Sequence, residues 1–440
     1  MRGSRLLRFS SAPRPLRSSA LQALRLTCLA TLAVSSISGC APPHAEGVAT
    51  TSVRATRSQA RSQPDWIDRS VAYGVLPPLF GEAGLRDVTR ALDSLHDLGV
   101  NVLWLAPFIE TPTGDVGYAA TDNLRVRSDY GTDADLAEFV REAEAREMRV
   151  ILDLPANPTS VRHSWYSDAT ARGRESPYYD YYERATDGSA THHFDWTHLS
   201  HRNYQNAALA TVMLDTSQRW IVQFSIDGYR FELGVHAWKG VFDEPIDIPK
   251  RLHAAILETQ KHTREQQLTW RFLDDSDTAE RFITRHGEGM TRVATAALLT
   301  LPGIPCVYSF DEVGAEYQPN AALRPVTPSR PELRDFHWRW IRMRRARAAL
   351  SGNGFSALHV GESGHAAPTA FAYLRQEASE TLLVVLSFSA TPTELTLQLP
   401  APHWGKKSAR DLMRGEELTL EENQLRVQLE PWDARIFEPR

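Results

Sequence analysis

Residues 98–108 read LGVNVLWLAPF, and the run Asn101–Ala106 within them reads as a buried strand. Before it, Gly84–Leu98 carries apolar residues at helical spacing, and a strand-like run, Ser70–Leu76, precedes that helix. After it the same alternation continues. A helix is expected over Asp133–Met148 and a strand over Arg149–Pro155 (RVILDLP). Helix Asn206–Phe224 leads into strand Ile226–Glu232 (IDGYRFE), and helix Ile248–Gln267 follows. Then come strand Thr269–Asp275, helix Glu280–Leu301, strand Ile304–Phe310 and helix Pro331–Leu350. Strands alternating with helices imply a parallel sheet covered by helices. Near-continuous apolar strands that end in polar residues fit a barrel or a doubly wound sheet. In a barrel, the polar strand ends mark the face that carries the site.

Two segments break the rhythm. Thr159 to about Arg202 is rich in Tyr and His and reads as a long, loop-like insertion. After Gly352 the pattern turns to period two, with antiparallel strands expected over Phe371–Arg375, Thr381–Ser387, Glu394–Leu399 and Leu425–Leu429. The fold class is therefore α/β, a barrel or doubly wound sheet over residues 65–351, followed by a β-sandwich over 352–440.

The N-terminus is of another kind. Six arginines between Arg2 and Arg25 precede an apolar run, Leu26–Ile37, too short to span a bilayer, which takes about 20 residues. A basic start, a short apolar core and small residues before a break read as a secretory signal over residues 1–40. The break, Ile37-Ser38-Gly39-Cys40, resembles the lipobox of bacterial lipoproteins, which implies lipid on Cys40 and export to a membrane. Ala41 after the Cys favours the outer membrane, and 41–64, rich in Ala, Ser, Thr and Arg, reads as a flexible tether. Cys306 then remains without a disulfide partner, so the core must hold the fold, and no cysteine spacing suits a metal. A net charge of −5 argues against nucleic acid as a partner.

The strand ends resemble those of the α-amylase superfamily, glycoside hydrolase family 13, over roughly residues 66–440. LGVNVLWLAPF resembles the family's second-strand signature, and Gly117-Tyr118 with Asp122 its Gly-Tyr-Asp segment. RVILDLPANPTS (149–160) resembles the first family region, IDGYRFELGVH (226–236) the second, FLDDSD (272–277) the fourth, and TLPGIPCVYSFDEVG (300–314) the eighth strand. Each piece is weak alone; their order and spacing carry the resemblance. It implies a retaining glycosidase, in which one carboxylate attacks and a second protonates the leaving oxygen about 5–5.5 Å away.

The departures bear on activity. The nucleophile position holds Glu232 rather than Asp, one methylene longer, where catalytic geometry tolerates about 0.5 Å. Arg230 lies two residues earlier on the same strand, so an Arg230–Glu232 ion pair stands as the alternative to a nucleophile. The general acid belongs on the fifth strand. Positions 233–268 give 36 residues for three helices and two strands, where one βαβ unit takes about 30. That strand is therefore expected to be deleted, leaving the barrel one strand short and imperfect between the fourth and seventh family strands. Segment 241–257 resembles the sixth strand and helix, and Glu244 within it reads better as a solvated loop carboxylate than as a replacement acid. Asp277 matches the transition-state stabiliser, while Ser276 and Pro158 replace the two sugar-binding histidines.

The resemblance leaves Tyr118, Asp153, Asn157, Arg230 and His236 as substrate-binding positions. Asp153 and Asn157 could equally brace neighbouring loops. No metal and no cofactor is called for: the Asn is a calcium ligand in some relatives, but no matched oxygen set accompanies it here. Three readings follow. The first is an envelope lipoprotein that binds α-glucans or malto-oligosaccharides with weak or no hydrolysis. The second is an active hydrolase or transglycosylase using Glu232, and the third a non-catalytic subunit with a protein partner or a second copy of itself. Trp165, Tyr166 and Trp196 separate them: facing the cleft they favour sugar binding, buried they count against it.

Overall fold

The computed structural model describes residues 64–112, 115, 117–194, 196–230, 241–242, 247–262, 269–275, 280–318, 324–362, 369–400 and 404–440. Six short strands make one sheet: β1 (Ala72–Val75), β2 (Val102–Leu105), β3 (Arg149–Asp153), β4 (Gly228–Arg230), β5 (Trp270–Phe272) and β6 (Ile304–Tyr308). Their order is β5-β6-β1-β2-β3-β4, and every pairing is parallel. Helices lie between them: α1 (Leu85–Leu98), α2 (Asp133–Glu144), α3 (Ser164–Arg172), α4 (Ala207–Phe224), α5 (Ile248–His262), α6 (Phe282–Thr300) and α7 (Pro331–Ala346). The result is an incomplete (β/α)8 barrel.

Local chemistry explains the helix ends. Helix α1 buries Leu85, Val88, Leu92, Leu95 and Leu98, one stripe at three- and four-residue spacing, and stops at Gly99, whose φ of 99° a side chain would resist. At α2, Thr132 and Asp135 form a reciprocal capping box. The Asn206 side chain accepts from Leu209 N at the start of α4. The single helix expected over Pro331–Leu350 ends at Ala346, because Arg347 is extended (φ −116°, ψ 114°) and its guanidinium is held by Glu380 and Glu438.

The sheet ends where shortening was expected. Its outer strands are β4 and β5, with 39 residues (231–269) between them, of which α5 takes 15. Among the described residues no strand lies in that stretch, and the described sheet has six strands. The expected sixth strand falls on 241–246, where Val241 and Phe242 lie in a turn and 243–246 are outside the described residues.

The insertion is more ordered than a loop. Thr159–Ser160, His192–His193 and Trp196–Ser200 form a small three-stranded sheet beside α3. Ala169, Tyr181, Tyr182, Leu209 and Met213 give it a core, against which Trp165, Tyr166 and Tyr178 pack.

Nine strands follow: β7 (Gly354–Ala357), β8 (Val360–Glu362), β9 (Ala370–Glu377), β10 (Glu380–Ser387), β11 (Thr393–Gln398), β12 (Ser408–Asp411), β13 (Glu417–Thr419), β14 (Gln424–Leu429) and β15 (Ala434–Pro439). They form sheets ordered β7-β9-β10-β15-β12-β13 and β8-β11-β14, an antiparallel sandwich. Strands β11 and β14 alternate buried and exposed, as a half-buried strand should. Strand β10 does not. Leu383 and Val385 face the sandwich core, while Leu382, Val384 and Leu386 belong to the core shared with α6, so both faces are covered.

Buried arginines hold the end of α6, Arg375 from the sandwich and Arg344 from α7 within the barrel. Arg375 donates to Thr300 O at 2.8 Å and Arg344 to Leu299 O at 3.0 Å, two of the carbonyls that the end of α6 leaves without helical partners. Burial lowers these guanidinium pKa values to about 10 and about 9, against the attraction of the helix's negative end.

Candidate functional site

Parallel register sets the centre of the site. Asp153 is the last residue of β3, Arg230 the last of β4, and the two are paired across the sheet. Asp153 is fully buried, and its Oδ2 accepts from Arg230 Nη1 at 2.8 Å and from Trp104 Nε1 at 3.1 Å. Arg230 Nη1 also donates to Tyr118 Oη at 3.0 Å, and its guanidinium lies 4.9 Å over the Trp104 ring. Burial raises the Asp153 carboxyl to about 6, with Arg230, Trp104 and Tyr118 pulling the other way. It is thus mostly ionised at neutral pH. Its second oxygen, Oδ1, is buried without a hydrogen-bond partner among the described residues.

Below this cluster the floor is aromatic. The Trp104 ring centroid is 5.7 Å from Tyr308 and 6.0 Å from Trp270, with Ala72, Val102, Ile151 and Cys306 filling in around them. Gly74 makes room: a Cβ there would sit 2.4 Å from the Tyr308 ring. The Tyr308 hydroxyl, like Asp153 Oδ1, is buried and unpartnered among the described residues. Burial pushes the Cys306 thiol well up, so it is an inert filler rather than a nucleophile.

Beyond β5 and β6 a second buried network adjoins the cluster. Asp274 accepts from Phe282 N at 3.0 Å, capping α6. Arg281 binds Asp311 and Tyr317 Oη, and Asp311 in turn accepts from Tyr308 N at 2.9 Å. Burial works against the Arg281 charge, but Asp274 and Asp311 outweigh it and raise its pKa overall. Asp275 is buried beside Asp274.

Asn157 ties two loops together. It is exposed, and its Oδ1 accepts from Arg202 N at 2.8 Å, tying the end of the insertion to the loop after β3. Fully buried Arg202 donates to Ala156 O (3.0 Å), Asn123 Oδ1 (2.9 Å) and Thr159 Oγ1 (3.1 Å). Oxygens that could have surrounded a hard cation are thus turned towards a guanidinium. Among the described residues no group of three or more His, Cys, Asp or Glu side chains is placed to hold a metal.

The sequence positions thus divide. Tyr118, Asp153 and Arg230 come together, and Asn157 instead bonds the backbone of Arg202. The described carboxylate partner of Arg230 is Asp153. Glu232, His236, Glu244, Ser276, Asp277 and Cys40 lie outside the described residues. Trp165 and Tyr166 pack on the insertion's core, whereas Trp196 is exposed, next to exposed Phe194. Trp104 and Arg281 escaped the sequence reading. Trp104 pairs across the sheet with Ile151, which lies on the same face as Asp153, a register that the sequence does not contain.

Two family comparisons place the chain. The α-amylase catalytic domain matches residues 56–251, and the C-terminal domain of maltogenic amylase matches 364–436. The α-amylase MalA of Haloarcula japonica is 25% identical over 407 residues, 80% of this chain and 59% of that protein. The trehalose synthase/amylase TreS of Mycobacterium tuberculosis is 32% identical over 202 residues, 39% of this chain and 33% of its own length. This chain therefore spans less than two thirds of either relative. In structure, the Geobacillus thermoleovorans α-amylase, solved with acarbose, superposes with a TM-score of 0.71 at 21% identity, over 86% of this chain and 99% of that one. A cyclomaltodextrinase gives a TM-score of 0.69 at 19% identity, over 85% of this chain and 79% of that one. With an incomplete barrel, a C-terminal sandwich and both family matches in chain order, this chain belongs to the α-amylase superfamily, glycoside hydrolase family 13.

Proposed function

We propose that this chain is an envelope lipoprotein, anchored through Cys40, that binds α-glucans or malto-oligosaccharides with weak or no hydrolysis. The observation that carries the reading is the shortened sheet. Strands β4 and β5 are its two outer strands, and the 39 residues between them must hold the 15-residue α5 and whatever replaces the strand that carries the family's proton donor. Acid–base assistance is typically worth about 10²–10⁴-fold. Its loss, together with a longer side chain at position 232, leaves little turnover.

Binding has separate support. Partly exposed Tyr118 and Arg230, held in place by buried Asp153, offer a ring and a cationic donor suited to the apolar face and hydroxyls of a glucose unit. Relatives named as amylases point to the same substrate class. Calorimetry with maltoheptaose tests this. Heat of binding that is lost in Tyr118→Ala and retained in Asn157→Ala supports it; no heat with any malto-oligosaccharide sinks it. Anchoring is tested separately, since lipid labelling of the wild type that persists in Cys40→Ser would remove that part of the proposal.

A further inference from the structure

We infer that the solvent-facing side of α4 is a contact surface for a second copy of this chain, two α4 helices packing antiparallel about a twofold axis near Gln218. In an eight-stranded barrel each helix is flanked by its neighbours in the ring. Helix α4 leads into β4, an outer strand of the sheet, and is fastened to it by Tyr229 Oη donating to Ser217 O at 2.5 Å. Among the described residues no helix follows β4 before α5.

The face left uncovered is apolar. Leu214 is 59% exposed, Ile221 41% and Val222 82%. At i, i+7 and i+8 they share one side of the helix, which makes a patch rather than scattered exposure. The patch carries no aromatic ring to stack on a sugar.

Its flanking charges select the occupant. Asp215 and Arg219 lie along one border of the patch. Within the helix they do not pair: Arg219 Nε donates instead to Gln223 Oε1 at 3.2 Å. In an antiparallel pair, residues whose numbers sum to about 435 face each other. Leu214 then meets Ile221 and Val222 of the second copy, Gln218 meets Gln218, and Asp215 meets Arg219. A twofold axis keeps each border on its own side, so the opposite charges meet twice. The surface complements itself, independently of any sugar bound in the barrel.

Sedimentation velocity of the full-length protein over a wide concentration range tests this. A reversible dimer is expected. Asp215→Arg alone and Arg219→Asp alone should each weaken it about tenfold, because each puts like charges face to face. Mixing the two variants in equal amounts should restore wild-type affinity, since the mixed pair regains both contacts, and the double variant Asp215→Arg/Arg219→Asp should do the same. Asp215 and Arg219 are both exposed, so unchanged melting temperatures confirm that folding is intact. A protein that stays monomeric throughout, or binds only an unrelated protein, overturns the inference. So does a dimer indifferent to both charge reversals, or one that the mixture fails to restore.

Discussion

Asp153 and Arg230 end neighbouring parallel strands and meet at 2.8 Å, with the carboxylate wholly buried and the guanidinium nearly so. The pair holds Trp104 and Tyr118 in place and leaves one carboxylate oxygen facing inward without a partner among the described residues. Most of what the fold can do chemically follows from this contact.

Its first consequence is a pH dependence. Burial raises the Asp153 pKa to about 6, above the value of an unfolded Asp. The folded state therefore binds the proton more tightly, and stability rises as pH falls through the folded pKa. Between pH 7.5 and 5 the gain is about 1 kcal/mol. Asp153→Asn removes it. Urea unfolding at both pH values should show wild type gaining about 1 kcal/mol over this variant between pH 7.5 and 5, whatever buried, neutral His163 and His337 cost both proteins as pH falls.

Arg230→Met tests the other partner. It strands a buried carboxylate and should cost about 3–5 kcal/mol at neutral pH, less at pH 5 where Asp153 takes up a proton. Arg230→Met combined with Asp153→Leu should recover much of the loss, which chemical denaturation can measure.

Gly74→Ala tests the packing of the floor. A methyl group 2.4 Å from the Tyr308 ring forces a shift costing about 1–3 kcal/mol. Tyr308→Val removes the ring it meets, so in a double-mutant cycle the two changes should be strongly non-additive. Tyr308→Phe should be neutral or stabilising, because the hydroxyl it deletes is buried without a partner among the described residues.

Arg375→Met tests the junction of barrel and sandwich. The carbonyls of Thr300 and Gly354 lose their donor, at a cost of about 2–3 kcal/mol. The lowered midpoint should appear as a single unfolding transition, since α6 and β10 share one core.

Much of the barrel was legible in the sequence because each strand carries its own signal. NVLWLA and RVILDLP are apolar runs, and their strands fall inside the expected bounds. The insertion was not legible. Its elements are two to nine residues long, too short for a period to develop, and its Tyr residues read as loop until they are seen around a shared core. At the site, Tyr118, Asp153 and Arg230 were each found singly. That Arg230 takes Asp153 as a partner depends on strand register, which no stretch of sequence around either residue contains. Arg202 shows the same limit, because a buried guanidinium gathering oxygens from as far as 79 positions away looks like any surface arginine in the sequence.

The most direct measurement is product release from maltoheptaose, followed to long times at high protein concentration, in wild type and Glu232→Gln. Bound sugar that is never shortened, with the two proteins indistinguishable, is the outcome expected of a barrel lacking its proton donor. Steady release of shorter sugars by the wild type, abolished by Glu232→Gln, would contradict the account and establish a working glycosidase.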